Sequence, residues 1–208
     1  MDMQFYGANC ISLTNRQVRL VIDDNLTDLG GKSIIKEGDV VLFTGAHSST
    51  NKPAKIIIDK PGEYESQGVF IYGIAARGHM EETGKMSSTI YKIMSDDLDI
   101  LVVGHVYPEL SDSQLEAIGT IDVMITPVGG NGYTLDSVGA LTLIKKIEPK
   151  LVIPAYYDDK SLKFPVPVAS LEDALKNLPM EVKESTQKLR IKSTDLSDVT
   201  QLVVLEHP

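Results

Sequence analysis

Two short runs, Asp39-Val-Val-Leu-Phe-Thr44 and Lys55-Ile-Ile-Ile-Asp59, hold no polar residue between their ends. Runs of this length that are apolar at every position suit strands covered on both faces. A chain that contains them needs a layer on each side of a sheet. The rest of the first half agrees. Gln17-Val-Arg-Leu-Val-Ile-Asp23 puts Val18, Leu20 and Ile22 on one face, and residues 3–6, 11–14, 68–76, 88–94 and 98–103 are further β-type runs. Glycine and proline punctuate them at Asp28-Leu-Gly-Gly-Lys32 and Lys60-Pro-Gly-Glu63, which read as turns.

The second half alternates helix and strand. Ser111-Asp-Ser-Gln114 is a capping box ahead of a short helix through Ile118. Residues 121–125 read as a strand, followed by the turn Pro127-Val-Gly-Gly-Asn-Gly132. A helix is predicted over 134–148, with Leu135, Val138, Leu141, Ile144 and Ile147 as its apolar stripe and Lys145-Lys146 near its end. A strand over 150–154, a helix opened by Ser170-Leu-Glu-Asp173 and a strand over 200–205 complete the series. Strands with helices outside them, without strict βαβ repetition, predict an α/β (αββα) sandwich of two packed mixed sheets flanked by helices, formed as one domain over 1–208. Phe164-Pro-Val-Pro167 is read as a loop.

Composition narrows the partners. Twenty basic against twenty-nine acidic residues give a net charge of −9, the wrong sign for a nucleic-acid groove or an anionic membrane. A small molecule is the expected partner. No apolar run approaches the roughly 18 residues of a membrane span, and the first residues lack the pattern of a signal peptide, so the chain is expected to be soluble and cytoplasmic. The one cysteine, Cys10, excludes a disulfide within the chain and any multi-cysteine zinc site.

Asp39 to Asn51 carries a buried strand into a polar loop, a common place for an active site. Tyr6-Gly-Ala-Asn-Cys10 precedes a strand ending in Asp23, and Pro61-Gly-Glu-Tyr-Glu65 precedes a Gly-Val-x-Ile strand. Ile121-Asp-Val-Met-Ile-Thr-Pro-Val-Gly-Gly130 leads into the long helix, and Lys150-Leu-Val-Ile-Pro154 follows it. In this order these segments resemble the metallo-β-lactamase superfamily, in its branch of small metal-dependent hydrolases related to L-ascorbate phosphate lactonase. The resemblance covers most of the chain. It implies a hydrolase fold with a two-zinc site on a His-x-His-x-Asp-His motif, and members that often self-associate, hence a homo-oligomer.

The motif itself is degenerate. The resemblance sets Gly45 at the first histidine, His47 at the second, Ser49 at the aspartate and Thr50 at the third histidine. Gly104-His105 stands where a bridging aspartate follows its strand, and Ala155-Tyr156 where a late histidine does. A two-zinc site draws on about five histidines plus carboxylates, and this chain has four, His207 among them. The expected function is therefore binding or assembly on a hydrolase fold, with catalysis lost or impaired and no cofactor.

The alternative keeps chemistry. His47, His79 and His105 each map to a strand-end loop, and three imidazoles with an open fourth position would make a catalytic site for one zinc or similar divalent transition metal. Such a site would hydrolyse an ester, lactone or phosphoester. Against it, His47 and His105 also read as hydrogen-bonded loop residues filling vacated space.

Weaker candidates remain. Amides of the loop holding Gly129 and Gly130, ahead of a helix, are candidates for binding a substrate anion, with Tyr156 beside them, although glycines that turn the chain explain the loop as well. Ser48, Ser49 and Thr50 beside His47 suggest a nucleophile and base, yet sequence neighbours seldom make that geometry. Asp23 and Asp24 are expected to stabilise loops, Glu63 and Glu65 to be structural, Asp158 and Asp159 to lie in a polar loop, and Cys10 to be a small buried hydrophobe.

Overall fold

The computed structural model describes residues 1–48, 53–95 and 97–207, and in it the apolar runs form two mixed sheets packed face to face. The first sheet runs β13 (Leu189–Arg190), β1 (Asp2–Phe5), β2 (Ile11–Thr14), β3 (Arg19–Ile22), β4 (Val40–Leu42) and β5 (Ile56–Ile58). Its β3, β4 and β5 are parallel and its other pairs antiparallel. The second runs β12 (Val182–Thr186), β14 (Gln201–Leu205), β11 (Leu151–Ala155), β10 (Val123–Pro127), β9 (Leu98–Val102), β8 (Ser88–Ser95), β7 (Val69–Ala76) and β6 (Gly62–Ser66). It is parallel from β12 to β9 and antiparallel from β9 to β6.

The fully apolar strands sit where covering is complete. Every residue of β4, β10 and β11 is buried. β5 departs from the expectation of burial on both faces, because it ends its sheet: Ile58 is buried while Ile56 and Ile57 are 43% and 40% exposed. The inner faces of both sheets fill one core, with Leu13, Leu20 and Leu42 from the first and Ile71, Tyr91 and Ile100 from the second. The Tyr91 hydroxyl donates within 3.1 Å of the carbonyls of both Phe43 and Ile58, joining the sheets at the end where β4 and β5 stop.

Helix α1 (Asp112–Ile118) starts as predicted, with Ser111 accepting from the Gln114 N–H and the Gln114 side chain returning to the Ser111 backbone. Helix α2 (Ser137–Ile147) starts three residues later than expected, capped by Asp136 on the Gly139 N–H. The shift turns the buried stripe. Ala140, Leu143 and Ile144 face the core, Val138 is 60% exposed, and Leu135 is buried ahead of the helix. Helix α3 (Leu171–Leu175) is capped by Ser170.

Two further differences concern strands. The Pro-Gly-Glu segment read as a turn continues into β6, whose antiparallel pairing with β7 carries Glu63 and Glu65 on exposed positions. β12 and β13 are short and mostly polar, so no apolar period announces them. Among the described residues no helix is long and apolar enough to cross a membrane.

Candidate functional site

The loops after β1, β3, β4, β9, β10 and β11 open at one end of the sandwich around a cavity of about 330 Å³. Ala8, Asn9, Asp23, His47, His105 and Tyr156 line it, with Tyr133, Asn25, Asp28 and Ser48 at its wall.

The turn from β1 to β2 closes tightly, the Cys10 N–H donating to the Gly7 carbonyl at 2.8 Å. Gly7 has φ +97°, and a Cβ there would come within 2.6 Å of Leu162. The turn presents Asn9, 7% exposed, whose Nδ2 lies 3.0 Å from His105 Nε2. With the Asn9 amide as donor, Nε2 accepts and the ring proton sits on Nδ1, which is buried and without a hydrogen-bond partner among the described residues. Burial, and then the charge of His79, push His105 down to about 4, so its ring is neutral at physiological pH. Its edge contacts Tyr133 and Tyr156 at centroid distances of 5.2 and 4.9 Å, and those two tyrosines stack at 5.8 Å.

Asp23 carries the floor. Its carboxylate accepts from the Thr44 N–H at 2.7 Å and from the Thr44 hydroxyl at 2.6 Å. Burial raises Asp23 to about 6 against the lowering effect of both bonds. Asp24 faces the other way and holds the next loop, accepting from the N–H groups of Ile34 and Ile35.

The three candidate metal histidines do not meet. His47 stacks on Phe43 at 3.9 Å, with Nδ1 3.0 Å from the Ser48 carbonyl and Nε2 3.3 Å from Asp59. His79 points its Nδ1 at the Val106 carbonyl, 3.2 Å away, and lies off the cavity lining. Only His47 and His105 share the cavity. Among the described residues no group of three or more His, Cys, Asp or Glu side chains is placed to hold a metal ion. A three-histidine zinc ion does not fit these residues, since His79 stands off the cavity that His47 and His105 line and the three rings do not converge on one position.

Tyr156 stands on the cavity, held by its N–H on the Ala8 carbonyl at 2.7 Å. Gly129 and Gly130 are not on the lining. A Cβ on Gly129 would fall 2.0 Å from the Tyr156 carbonyl oxygen, and the Gly130 N–H already donates to Leu135. These glycines let two loops touch, and the Gly130 amide is already spent on Leu135. The Ser48 hydroxyl donates to Asp28 rather than to His47, while Ser49 and Thr50 lie outside the described residues. Asp159 accepts from Ser161 and pairs with His207 at 2.6 Å, as a loop clamp does. Asn9 and Tyr133 were not singled out in the sequence; a buried asparagine in a glycine turn and a tyrosine beside a glycine loop give no period or spacing to find them by.

The family model for the Beta-lactamase superfamily domain matches residues 2–156. A metallo-β-lactamase superfamily protein of Thermotoga maritima superposes with a TM-score of 0.75 at 24% identity, over 98% of this chain and 97% of that one. YhfI of Bacillus subtilis, a metallo-β-lactamase fold protein, gives 0.62 at 9% identity over 99% and 97%. Igni18, a metallo hydrolase of Ignicoccus hospitalis, gives 0.55 at 17% identity over 78% and 85%. No curated protein matches the sequence.

Proposed function

The chain belongs to the β-lactamase superfamily, and from that premise we propose that it keeps the fold's strand-end pocket for binding a small molecule while the two-metal catalyst has been dismantled. One observation carries the reading: the histidines and carboxylates at the pocket are spent on one another's loops, yet a cavity large enough for a small ligand remains. Each remaining polar group has a structural task. Asn9 orients His105, Asp23 holds Thr44, and Asp59 faces His47. Beside these groups a neutral imidazole and two stacked tyrosines face the cavity, a surface suited to a flat or cyclic ligand.

The test has two arms, run on untagged protein. Metal analysis after dialysis against zinc and manganese salts is expected to give far less than one ion per chain. Tyrosine emission, unobscured because the chain has no tryptophan, is expected to change on titration with small cyclic esters, lactones and phosphoesters, and the response is expected to vanish in Tyr156→Ala. Stoichiometric metal that His47→Ala removes would support the one-metal hydrolase in its place.

A further inference from the structure

The fixed charge around the strand-end cavity is of one sign. Asp23 lies in its wall, 4% exposed, and Asp28 stands exposed at its rim. No lysine or arginine joins them among the described lining residues. Thr44 donates twice to Asp23 and the Ser48 hydroxyl once to Asp28. These neutral donors occupy the carboxylates without cancelling their charge.

The imidazoles do not supply what is missing. The His105 ring is neutral at physiological pH, and His47 has Asp59 3.3 Å from Nε2, a carboxylate that answers the ring from outside the lining. The whole chain, at −9, adds to the same field. A buried carboxylate without a matching cation is held at a cost, which a positively charged ligand would relieve and an anion would increase.

The aromatic wall sets the shape of such a ligand. Tyr133 and Tyr156 both line the cavity, stacked at 5.8 Å, and Phe164 backs Tyr156 at 5.2 Å. Tyrosine faces attract ammonium groups as well as flat rings. A metal ion would need three or more donors converging on one point, which the described residues do not offer. An ammonium group asks less: one carboxylate to accept from its N–H groups, and an aromatic face beside it. A cavity of about 330 Å³ has room for a single ring with a short arm.

We propose that the pocket's ligand is a small organic cation, an amine carried on one flat ring, held by the Asp23 and Asp28 carboxylates and the Tyr133–Tyr156 wall. The proposal rests on the reading of this cavity as a small-molecule pocket. Among rings of one size, charge then ranks affinity: ammonium first, neutral esters and lactones next, phosphoesters last.

Calorimetric titration at about pH 7.5 and low salt compares three probes of one shape, benzylammonium, benzyl alcohol and benzoate. Benzylammonium is expected to bind about tenfold or more tighter than benzyl alcohol, and benzoate more weakly than either. Asp23→Asn removes a charge at nearly constant shape, and is expected to bring benzylammonium close to benzyl alcohol while leaving benzyl alcohol unchanged. Asp23 also clamps Thr44, so the exposed rim supplies a second variant: Asp28→Lys is expected to weaken benzylammonium about threefold or more and to strengthen benzoate. Tyr156→Ala is expected to weaken all three probes, which ties binding to this cavity. Benzyl alcohol or benzoate binding as tightly as benzylammonium would overturn the proposal and leave the pocket reading in place. A benzylammonium affinity indifferent to both aspartate variants would do the same. Silence from all three probes would also overturn it, and the pocket reading falls with it only if cyclic esters and lactones are silent as well.

Discussion

Asp23 grips Thr44 twice, through its backbone N–H at 2.7 Å and its hydroxyl at 2.6 Å. The clamp fastens the end of β3 to the end of β4. Thr44 in turn lies against Gly104, one residue before His105, and its carbonyl accepts from the Thr89 N–H. Strand ends from both sheets meet at this threonine, so the pocket wall rests on a carboxylate that burial makes reluctant to ionise.

That reluctance sets a pH dependence. Asp23 titrates near 6 in the fold and near about 4 in the unfolded chain. Between those values the folded state holds more protons, and stability falls as pH rises, by roughly 3 kcal/mol. His105 acts in the opposite sense: it titrates near 4 in the fold and about 6.5 unfolded, so stability rises with pH by a similar amount. The two contributions largely cancel over about pH 4–6.5. Urea unfolding across this window is expected to tilt upward with pH in Asp23→Asn, relative to the parent, and downward in His105→Gln. Parallel profiles for the two variants would refute the opposition.

Gly104 admits no side chain. It has φ +65°, and a Cβ there would sit 2.3 Å from Thr44 Cβ, a collision that no rotamer of Thr44 relieves. Gly104→Ala is expected to lose about 3 kcal/mol or more, from left-handed strain and the clash together. Gly38 supplies the control, since it has φ +89° with open space where a Cβ would go. Gly38→Ala is expected to lose about 1 kcal/mol by strain alone, and denaturant midpoints compare the two.

The sheets were legible where the pattern was strong and both neighbours were strands, as in β2, β4 and β9. The capping box at Ser111 located α1 to the residue because its two reciprocal bonds are local. β5 misled: three isoleucines read as doubly covered, and only the order of the strands reveals an edge. For α2 the periodicity was right in kind and wrong in phase, because Asp136 caps the helix and it starts at Ser137, not at residue 134. The pocket was legible in outline through His47, His105 and Tyr156. Its closure was not. That His79 turns away and Asn9 turns in depends on loop paths that no spacing in the sequence records.

Tyr91 tests how the sheets are joined. Its hydroxyl donates to two carbonyls, Phe43 and Ile58, at 3.1 Å each, and burial pushes its ionisation well above the ordinary tyrosine range. Tyr91→Phe fills the same space and removes that donor: the Ile58 carbonyl keeps the Phe43 N–H while the Phe43 carbonyl loses its hydroxyl partner, which is expected to cost about 1–3 kcal/mol. The damage is expected at the ends of β4 and β5. Hydrogen exchange should therefore quicken at Phe43 and not in β10 or β11, whose ladder the substitution does not touch.

Asn9 is expected to decide the state of His105. The amide at 3.0 Å from Nε2 makes that nitrogen an acceptor and puts the proton on Nδ1. Imidazole nitrogen spectra at neutral pH are expected to show the Nδ1–H tautomer at this residue and no protonation until about pH 4–5. Asn9→Asp replaces the amide by a carboxylate, which favours the imidazolium and should raise the His105 titration by a unit or more. Asn9→Leu removes the partner and offers no charge, so the ring should stay neutral while its tautomer preference is lost. An asparagine that served only to turn the chain would leave the His105 spectrum the same in all three proteins.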